Sequence, residues 1–311
     1  MQAYLVSKYK TPMQVGEVAE PAIDDRDVLV DVHAAGVNML DAKIRDGEFK
    51  LFLPYKTPFI LGHDLAGVVT RVGSAVTRFT VGDEVYARPR DGRIGTFAER
   101  IAVDQDDLAI KPANLSMAEA ASVPLVALTA WQALVERANL QPGQKVLVHA
   151  GSGGVGAYAI QLAEHLGATV TTTTGTSNLE WVRDLGADVV IDYRTQDFEK
   201  VAHDYDIVLD SQGGDTLAKS LRVLKPGGTT IGIAGPPDPD FARQKGLRLP
   251  LRLAMTALSH KTRRAARRHG VRYSFLFMRA SGAQLNEITT LIETNILRPV
   301  SYTHLTLPTK A

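Results

Sequence analysis

The chain has 311 residues, a formal net charge of +1 and a hydrophobic fraction of 45%. This length allows two domains with separate cores. The hydrophobic fraction excludes a wholly disordered chain. The net charge near zero gives no overall electrostatic attraction toward nucleic acid or an acidic surface. The lack of cysteine excludes disulfides, thiolate nucleophiles and cysteine-ligated zinc sites.

The first residues, MQAYLVSKYK, do not have the basic and apolar regions of a secretory signal. No apolar stretch approaches the roughly 18 residues that a membrane-spanning helix needs. We therefore predict no membrane span and a cytoplasmic location, with which a cysteine-free chain is compatible.

The chain contains two regions with different sequence patterns. Residues 1–115 contain short β-like runs broken by glycine and proline, such as DVLVDVHAAGV and GDEVYARPR, and this spacing predicts a compact β-barrel-like domain. In residues 116–250, helical patterns alternate with short apolar strands such as KVLVHA and DIVLDS. That alternation predicts an α/β domain with a parallel, doubly wound sheet.

Residues 251–300 contain a basic segment and then SGAQLNEITTLIE, which predicts an amphipathic helix that returns to the first domain. The tail at residues 301–311, SYTHLTLPTKA, resembles a cloning, frameshift or assembly scar more than a designed terminus.

Glycines lie between a predicted strand at residues 145–150 and a helix that follows. Gly151, Gly153 and Gly156 match G-x-G-x-x-G, in which the three glycines permit a tight turn, a close pyrophosphate and close helix packing. Such turns also occur for steric reasons alone, but the surrounding strand–helix alternation favours a dinucleotide site. The predicted cofactor-binding residues of this loop are Gly151, Ser152, Gly153, Gly154, Val155 and Gly156.

The second strand of the α/β domain indicates which dinucleotide is bound. NAD-type domains place an acidic residue about 20 residues after the glycines, whereas residues 170–178 read VTTTTGTSN. Small hydroxyl side chains leave room for a 2′-phosphate, so we predict NADPH, held by Thr174, Thr176 and Ser177. The alternative is a strand rich in threonine for its β-propensity, which does not explain the missing acid.

Several motifs together resemble one family. They are AGSGGVG, IDYRTQDF, VLDSQGG and LKPGG in the second domain, and GVNMLDAKIRDG, LGHDLAGVVTRVG, FTVGDEVYA and VPLVALTAWQAL before it. The set resembles the medium-chain dehydrogenase/reductase superfamily, in its zinc-free quinone oxidoreductase branch, which is ζ-crystallin-like and includes the reticulon-interacting reductases. This resemblance implies a GroES-like catalytic domain, a Rossmann NADPH-binding domain and a homodimer. It also implies a cleft in which NADPH meets a quinone or an α,β-unsaturated carbonyl.

The resemblance also implies roles for single residues. Asn38 matches an asparagine beside the nicotinamide, Thr129 a threonine facing it, and Tyr193 a tyrosine near the 2′-phosphate. The basic partner usual in the GTSN region is missing, and Arg194 is a candidate substitute. Its alternative role is a solvated charge at a strand end.

Zinc-using relatives carry cysteine at the position of Asn38, and His63 matches one of their zinc ligands. Catalytic zinc needs three protein ligands, and the sequence offers one. We therefore predict no metal and assign His63 to hydrogen bonding in or beside the cleft.

Hydride transfer leaves negative charge on the substrate oxygen, which needs a hydrogen-bond donor. Lys43 is the first candidate and Tyr55 the second. The alternative for Lys43 is an exposed helix cation near acidic neighbours. Phe49 and Lys43 stand where some quinone reductases carry tyrosines, which leaves the substrate open.

The segment KTRRAARRHGVR, residues 261–272, is the strongest local charge feature. It is a solvated helix face, a site for a phosphate-bearing substrate such as an acyl-CoA, or a contact for RNA or an anionic membrane. Without interleaved aromatic residues, binding of nucleic acid is the less favoured interpretation. Two alternative functions stay open: an enoyl-thioester reductase, and a cofactor-binding protein that mainly binds RNA or a partner.

Overall fold

The computed structural model describes residues 1–300, which form two compact units. The first unit contains Met1–Leu128 and the segment that begins at Arg279, and the second contains Thr129–Met278. The sequence placed domain boundaries after residues 115 and 250, earlier than the points at which the contacts divide the chain. The predicted tail lies outside the described residues.

The strands of both units are short, and most have a buried majority of residues. They are β1 (Gln2–Val6), β2 (Gln14–Glu17), β3 (Asp27–Gly36), β4 (Phe59–Ile60), β5 (Asp64–Val72), β6 (Glu84–Ala87), β7 (Arg100–Asp104), β8 (Leu108–Ile110), β9 (Lys145–Val148), β10 (Thr169–Thr174), β11 (Val189–Asp192), β12 (Tyr205–Asp210), β13 (Leu224–Gly232) and β14 (Arg272–Phe275).

Helices surround these strands. They are α1 (Met39–Arg45), α2 (Met117–Ala121), α3 (Pro124–Trp131), α4 (Gly154–His165), α5 (Leu179–Asp184), α6 (Phe198–Val201), α7 (Gly214–Ser220), α8 (Pro239–Gln244), α9 (Leu249–Leu258), α10 (His260–Arg268) and α11 (Gly282–Glu293). Across residues 1–300, none of them is long and apolar enough to cross a membrane.

The first unit is built on two antiparallel sheets, one in the order β7-β3-β5-β6-β8 and one in the order β2-β1-β4. Valine and leucine side chains from the larger sheet form its core. Helix α11 joins this unit because the Tyr86 hydroxyl donates to the Leu285 carbonyl at 2.8 Å. Helix α2 packs so closely on β3 that a Cβ at Gly36 would overlap the Ala121 carbonyl oxygen. That packing is why the first unit extends beyond the predicted boundary.

The second unit contains a six-stranded parallel sheet in the order β11-β10-β9-β12-β13-β14. Numbered from β9, this order is 3-2-1-4-5-6, the doubly wound arrangement that binds dinucleotides. The predicted α/β class is confirmed. The strands that follow β9 in the sequence lie on one side of it as far as β11, and those from β12 onward lie on its other side. A crevice is therefore expected at the carboxyl ends of β9 and β12.

Candidate functional site

The glycine-rich loop follows β9 at this switch point, and its glycines are distinguished by what a side chain would meet. A Cβ at Gly151 would overlap Thr172 Oγ1, and one at Gly156 would overlap the Ala150 carbonyl oxygen. At Gly153 an added Cβ would lie 3.3 Å from the Ala150 carbonyl oxygen and, its two chain neighbours aside, within 4 Å of no other heavy atom of the described residues. Two glycines therefore serve packing, and Gly153 borders open space.

The loop backbone prepares an anion site. Ala150 adopts a positive φ of 54°, and the Gly153 N–H donates to its carbonyl oxygen at 2.9 Å. Gly153 precedes α4 as its N-cap, so the first N–H groups of the helix, from Gly154 and Val155, have no acceptor within the helix. Together with the open side of Gly153 and half-exposed Ser152, this arrangement fits the pyrophosphate of a dinucleotide.

The threonines of β10 are mainly structural. Thr172 donates to the Val148 carbonyl at 2.8 Å, and Thr171 accepts from the Tyr205 hydroxyl at 2.8 Å. Thr174, predicted to contact the cofactor, is 1% exposed, and its hydroxyl has no hydrogen-bond partner among residues 1–300. A buried threonine at the end of the strand cannot donate its hydroxyl to a phosphate without rearrangement. The polar groups that follow the strand are therefore the candidates for binding the 2′-phosphate.

Four predicted cofactor residues do surround one point, the α-carbon of Gly175. A Cβ there would lie 3.3 Å from the Tyr193 hydroxyl and 3.5 Å from Arg194 Nε. Thr176 and Ser177 follow directly and are exposed. A phenol, a guanidinium and two hydroxyl side chains thus lie around Gly175, a set of donors that suits an anionic group.

Asp192, at the end of β11, is a residue that the sequence interpretation missed. Its carboxylate accepts hydrogen bonds from Thr176 Oγ1 at 2.6 Å and from the Arg194 N–H at 2.9 Å. The hydrogen bond from Thr176 and the one from the backbone of Arg194 lower the pKa of this carboxyl group. Because the Thr176 proton is already donated, Arg194, Tyr193 and Ser177 are the groups available to an anion. The aspartate of the IDYR motif was the available signal.

His149 lies buried at the start of the glycine loop. Its Nδ1 is 3.1 Å from Thr173 Oγ1, and its Nε2 is 2.9 Å from Ser220 Oγ. Burial lowers the pKa of His149 to about 4, so the ring is neutral near pH 7. The residue therefore links β9, β10 and α7 and does not act as a general base.

In the first unit, Asn38 is held in place by two carboxylates. Its Nδ2 donates to Asp64 Oδ2 at 2.9 Å, and its backbone N–H donates to Asp41 Oδ2 at 2.7 Å. Asp41 also contacts His63 Nδ1 through its other oxygen at 2.6 Å. Asp41 and Asp64 were not assigned roles from sequence. Asp41 caps α1 three residues after Asn38, a local signal that was available, whereas Asp64 reaches Asn38 only through the arrangement of β5 and α1.

Asp64 is fully buried, and burial raises the pKa of its carboxyl group well above the usual range, despite the amide of Asn38. Its other oxygen accepts from the Leu125 N–H at 3.0 Å. His63 is also buried, and its Nε2 has no hydrogen-bond partner within the part of the chain that the structure describes. Across residues 1–300, no group of three or more histidine and carboxylate side chains is arranged to hold a metal ion.

The remaining predicted residues have different environments. Lys43 lies on α1, partly exposed, 4.0 Å from Glu48. The Tyr55 hydroxyl accepts from the Gly92 N–H at 3.2 Å, and burial raises its pKa. Thr129 is 4% exposed in α3. Tyr55 keeps its own proton for donation, whereas Lys43 offers an ammonium group beside a carboxylate.

Comparison with known proteins matches two segments of the chain to family models. Residues 24–113 match the family "Alcohol dehydrogenase GroES-like domain", and residues 185–308 match "Zinc-binding dehydrogenase". The NADPH-dependent alkenal/one oxidoreductase, chloroplastic, of Arabidopsis thaliana is 42% identical over 226 residues, which are 70% of this chain and 58% of that protein. The chain thus spans less than two thirds of that relative's length.

Two other similar proteins match along more of their length. The mitochondrial NAD(P)H oxidoreductase RTN4IP1 of Danio rerio is 34% identical over 294 residues, covering 88% of this chain and 76% of that protein. The solved quinone oxidoreductase of Coxiella burnetii has a TM-score of 0.83 and 29% identity, covering 96% of this chain and 89% of that one.

Proposed function

Because the chain belongs to the medium-chain dehydrogenase/reductase superfamily, we propose that it is an NADPH-dependent reductase that transfers hydride to a quinone or an α,β-unsaturated carbonyl. The observation that carries this proposal is the open side of Gly153 at the switch point of the parallel sheet. Similarity to an alkenal/one oxidoreductase and to quinone oxidoreductases supports the choice of substrates.

The second unit binds the cofactor, and NADPH supplies the hydride when it is bound. The loop from Gly151 to Gly156 holds the pyrophosphate against the N-terminus of α4. Arg194 and Tyr193 bind the 2′-phosphate beside Gly175, with Ser177 as a further donor. Asp192 orients Thr176 and the Arg194 backbone, which fixes the shape of this subsite.

The first unit stabilises the charge that develops on the substrate oxygen. Asn38, which matches an asparagine beside the nicotinamide, positions that ring, because Asp64 fixes its side-chain amide and Asp41 fixes its backbone. Tyr55 or Lys43 donates the hydrogen bond to the oxygen. The Tyr55→Phe and Lys43→Met variants separate them, since loss of the true donor lowers kcat by about 10²-fold and loss of the other does not.

No metal takes part in this proposed reaction. The His63 ring is held by Asp41, and the neighbouring Asn38 amide is directed to Asp64 instead of to an ion. Cytoplasmic location and a homodimer remain predictions from the sequence, and the substrate is a small molecule.

The test is steady-state oxidation of NADPH with 1,4-benzoquinone, 9,10-phenanthrenequinone, an alkenal and crotonyl-CoA. Turnover with a quinone or the alkenal supports the proposal. Turnover with crotonyl-CoA alone would replace it with an enoyl-thioester reductase. Tight RNA binding without turnover on any substrate would replace it with a binding function.

A further inference from the structure

Positive charge is concentrated in the last part of the second unit, which connects β13 to β14 and includes β14. Residues 241–278 contain eight arginines and two lysines and no aspartate or glutamate. The rest of the chain therefore carries 25 basic and 34 acidic side chains, because the whole chain has 35 basic residues and 34 acidic ones. A chain with almost no net charge thus presents one strongly basic region.

Helix α9 in this region presents an apolar face to solvent. Leu249, Leu253 and Leu258 are 65%, 61% and 61% exposed. At 100° per residue they lie on one half of the helix with Pro250, Ala254 and Ala257, which are also exposed. The apolar face consists of Leu249, Pro250, Leu253, Ala254, Ala257 and Leu258. Arg248 and Arg252, on the other half, are exposed as well.

Helix α10 carries a basic stripe made of His260, Lys261, Arg264, Arg267 and Arg268, all exposed. His260, Arg264, Arg267 and Arg268 also line one surface pocket. Within the described residues, none of these three arginines forms an ion pair with an acidic side chain. Four cationic or protonatable side chains beside one pocket attract a surface of opposite charge.

The two helices are tied together. Arg263 of α10 donates through Nε to Ser259 Oγ at 3.1 Å, and through a terminal nitrogen to the Thr256 carbonyl of α9 at 3.2 Å. The Ser259 hydroxyl in turn donates to the Met255 carbonyl at 2.9 Å. Met255 and Ser259 are buried, so these contacts hold the apolar face and the basic stripe in a fixed relation.

We propose that α9 and α10 form a peripheral docking surface for an anionic phospholipid bilayer. The apolar face enters the boundary between headgroups and acyl chains, and the basic stripe contacts the phosphate and carboxylate groups of the lipids. An amphipathic helix with leucine on one side and arginine beside it is suited to this interfacial position. Each basic residue near an anionic lipid surface strengthens binding by about fivefold, so several arginines together have a large effect.

Other occupants fit the surface less well. A symmetric contact with a second copy would set the same arginines near one another, because such a contact uses one surface twice. A nucleic acid would satisfy the arginines but leave the leucines exposed, and the apolar face has no aromatic side chain on which a base could stack. A bilayer accommodates both the charge and the leucines.

The experiment is cosedimentation of the full chain with phosphatidylcholine vesicles, with and without phosphatidylserine, at low and high salt. We expect binding to the vesicles that contain phosphatidylserine, weakened by salt because the Debye length shortens. Equal partitioning onto both kinds of vesicle, or no binding to either, would overturn the proposal.

Two pairs of variants test the residues. Arg264→Glu/Arg268→Glu should weaken partitioning by at least about thirtyfold, whereas Lys8→Glu/Lys200→Glu, with the same change in net charge, should have a small effect. Leu253→Ser should weaken it by about tenfold, and Val81→Ser, at a similarly exposed site in the first unit, should not.

Melting temperatures of all variants establish that each is folded. Equal losses in a variant and its control would contradict the proposed surface. Analytical ultracentrifugation adds a further outcome: if Leu253→Ser dissociates a dimer and vesicles are not bound, the apolar face is a contact between copies and the proposal is wrong. NADPH oxidation is measured separately, so failure here leaves the proposed reaction standing.

Discussion

Replacing Gly153 by valine tests whether the glycine loop binds a pyrophosphate or only packs. Gly153 has φ −85° and ψ 165°, a β-region conformation that valine adopts readily, and an added Cβ would meet only the Ala150 carbonyl oxygen, at 3.3 Å. The folded state should therefore tolerate Gly153→Val. The added methyl groups would occupy the open space against which the phosphates must lie.

The size of the effect follows from the hydrogen bonds that the phosphates would lose. A hydrogen bond to a charged group contributes roughly 1.5–3 kcal/mol, so displacement from one N–H donor weakens NADPH binding by about 10- to 150-fold. The melting temperature should stay within about 2 °C, because each kcal/mol shifts it by about 2–4 °C in domains of this size.

Fluorescence titration with NADPH and thermal unfolding without it measure the two effects. Gly156→Ala is the matched control, because its Cβ would overlap the Ala150 carbonyl oxygen inside the packed turn. Overpacking of this kind costs about 1–3 kcal/mol, so the control should lose stability first. If Gly153→Val bound NADPH with normal affinity, the loop would serve packing alone and our account of the site would be wrong.

Three further predictions concern other residues. Arg194→Ala should lower the ratio of kcat/KM for NADPH over NADH by about tenfold, the low end expected for losing a charged hydrogen bond at an exposed site; an unchanged ratio would remove Arg194 from the 2′-phosphate subsite. The unfolded chain protonates His149 near pH 6.5 and the folded chain only near pH 4, so the free energy of unfolding should fall as pH drops through this window, by up to about 3 kcal/mol. Urea unfolding of wild type and His149→Gln at neutral pH and near pH 4 isolates this contribution, which is absent if the variant shows the same pH dependence. Treatment with a chelator should leave NADPH oxidation unchanged, and a stoichiometric metal lost together with activity would reverse our interpretation of His63.

Local sequence signals predicted the second unit well. The role of Gly156 depends on a contact within one strand–turn–helix, with the Ala150 carbonyl oxygen, and the spacing of the glycines was sufficient to predict the turn. The alternation of strand and helix patterns likewise predicted the parallel sheet. The hydrophobic period of a segment reflects its own secondary structure, so each helix or strand can be predicted from its own residues.

Features that depend on strand register were not predictable in this way. Thr174 pairs with Asp192 across β10 and β11, and this register buries the threonine while setting a carboxylate beside Thr176. Similarly, Asp64 supports Asn38 only because β5 begins beside α1. Periodicity within one segment does not report which residue of another segment will lie opposite.

The central claim is that this chain transfers hydride from NADPH to a quinone or an α,β-unsaturated carbonyl. The most direct measurement uses NADPH deuterated at either face of C4, with an alkenal and with 9,10-phenanthrenequinone, and follows oxidation at each labelled position. Our account predicts enzyme-dependent oxidation with a primary isotope effect for one face, and deuterium on the β-carbon of the reduced alkenal if the alkenal is turned over. Absence of enzyme-dependent oxidation with both acceptors would contradict it.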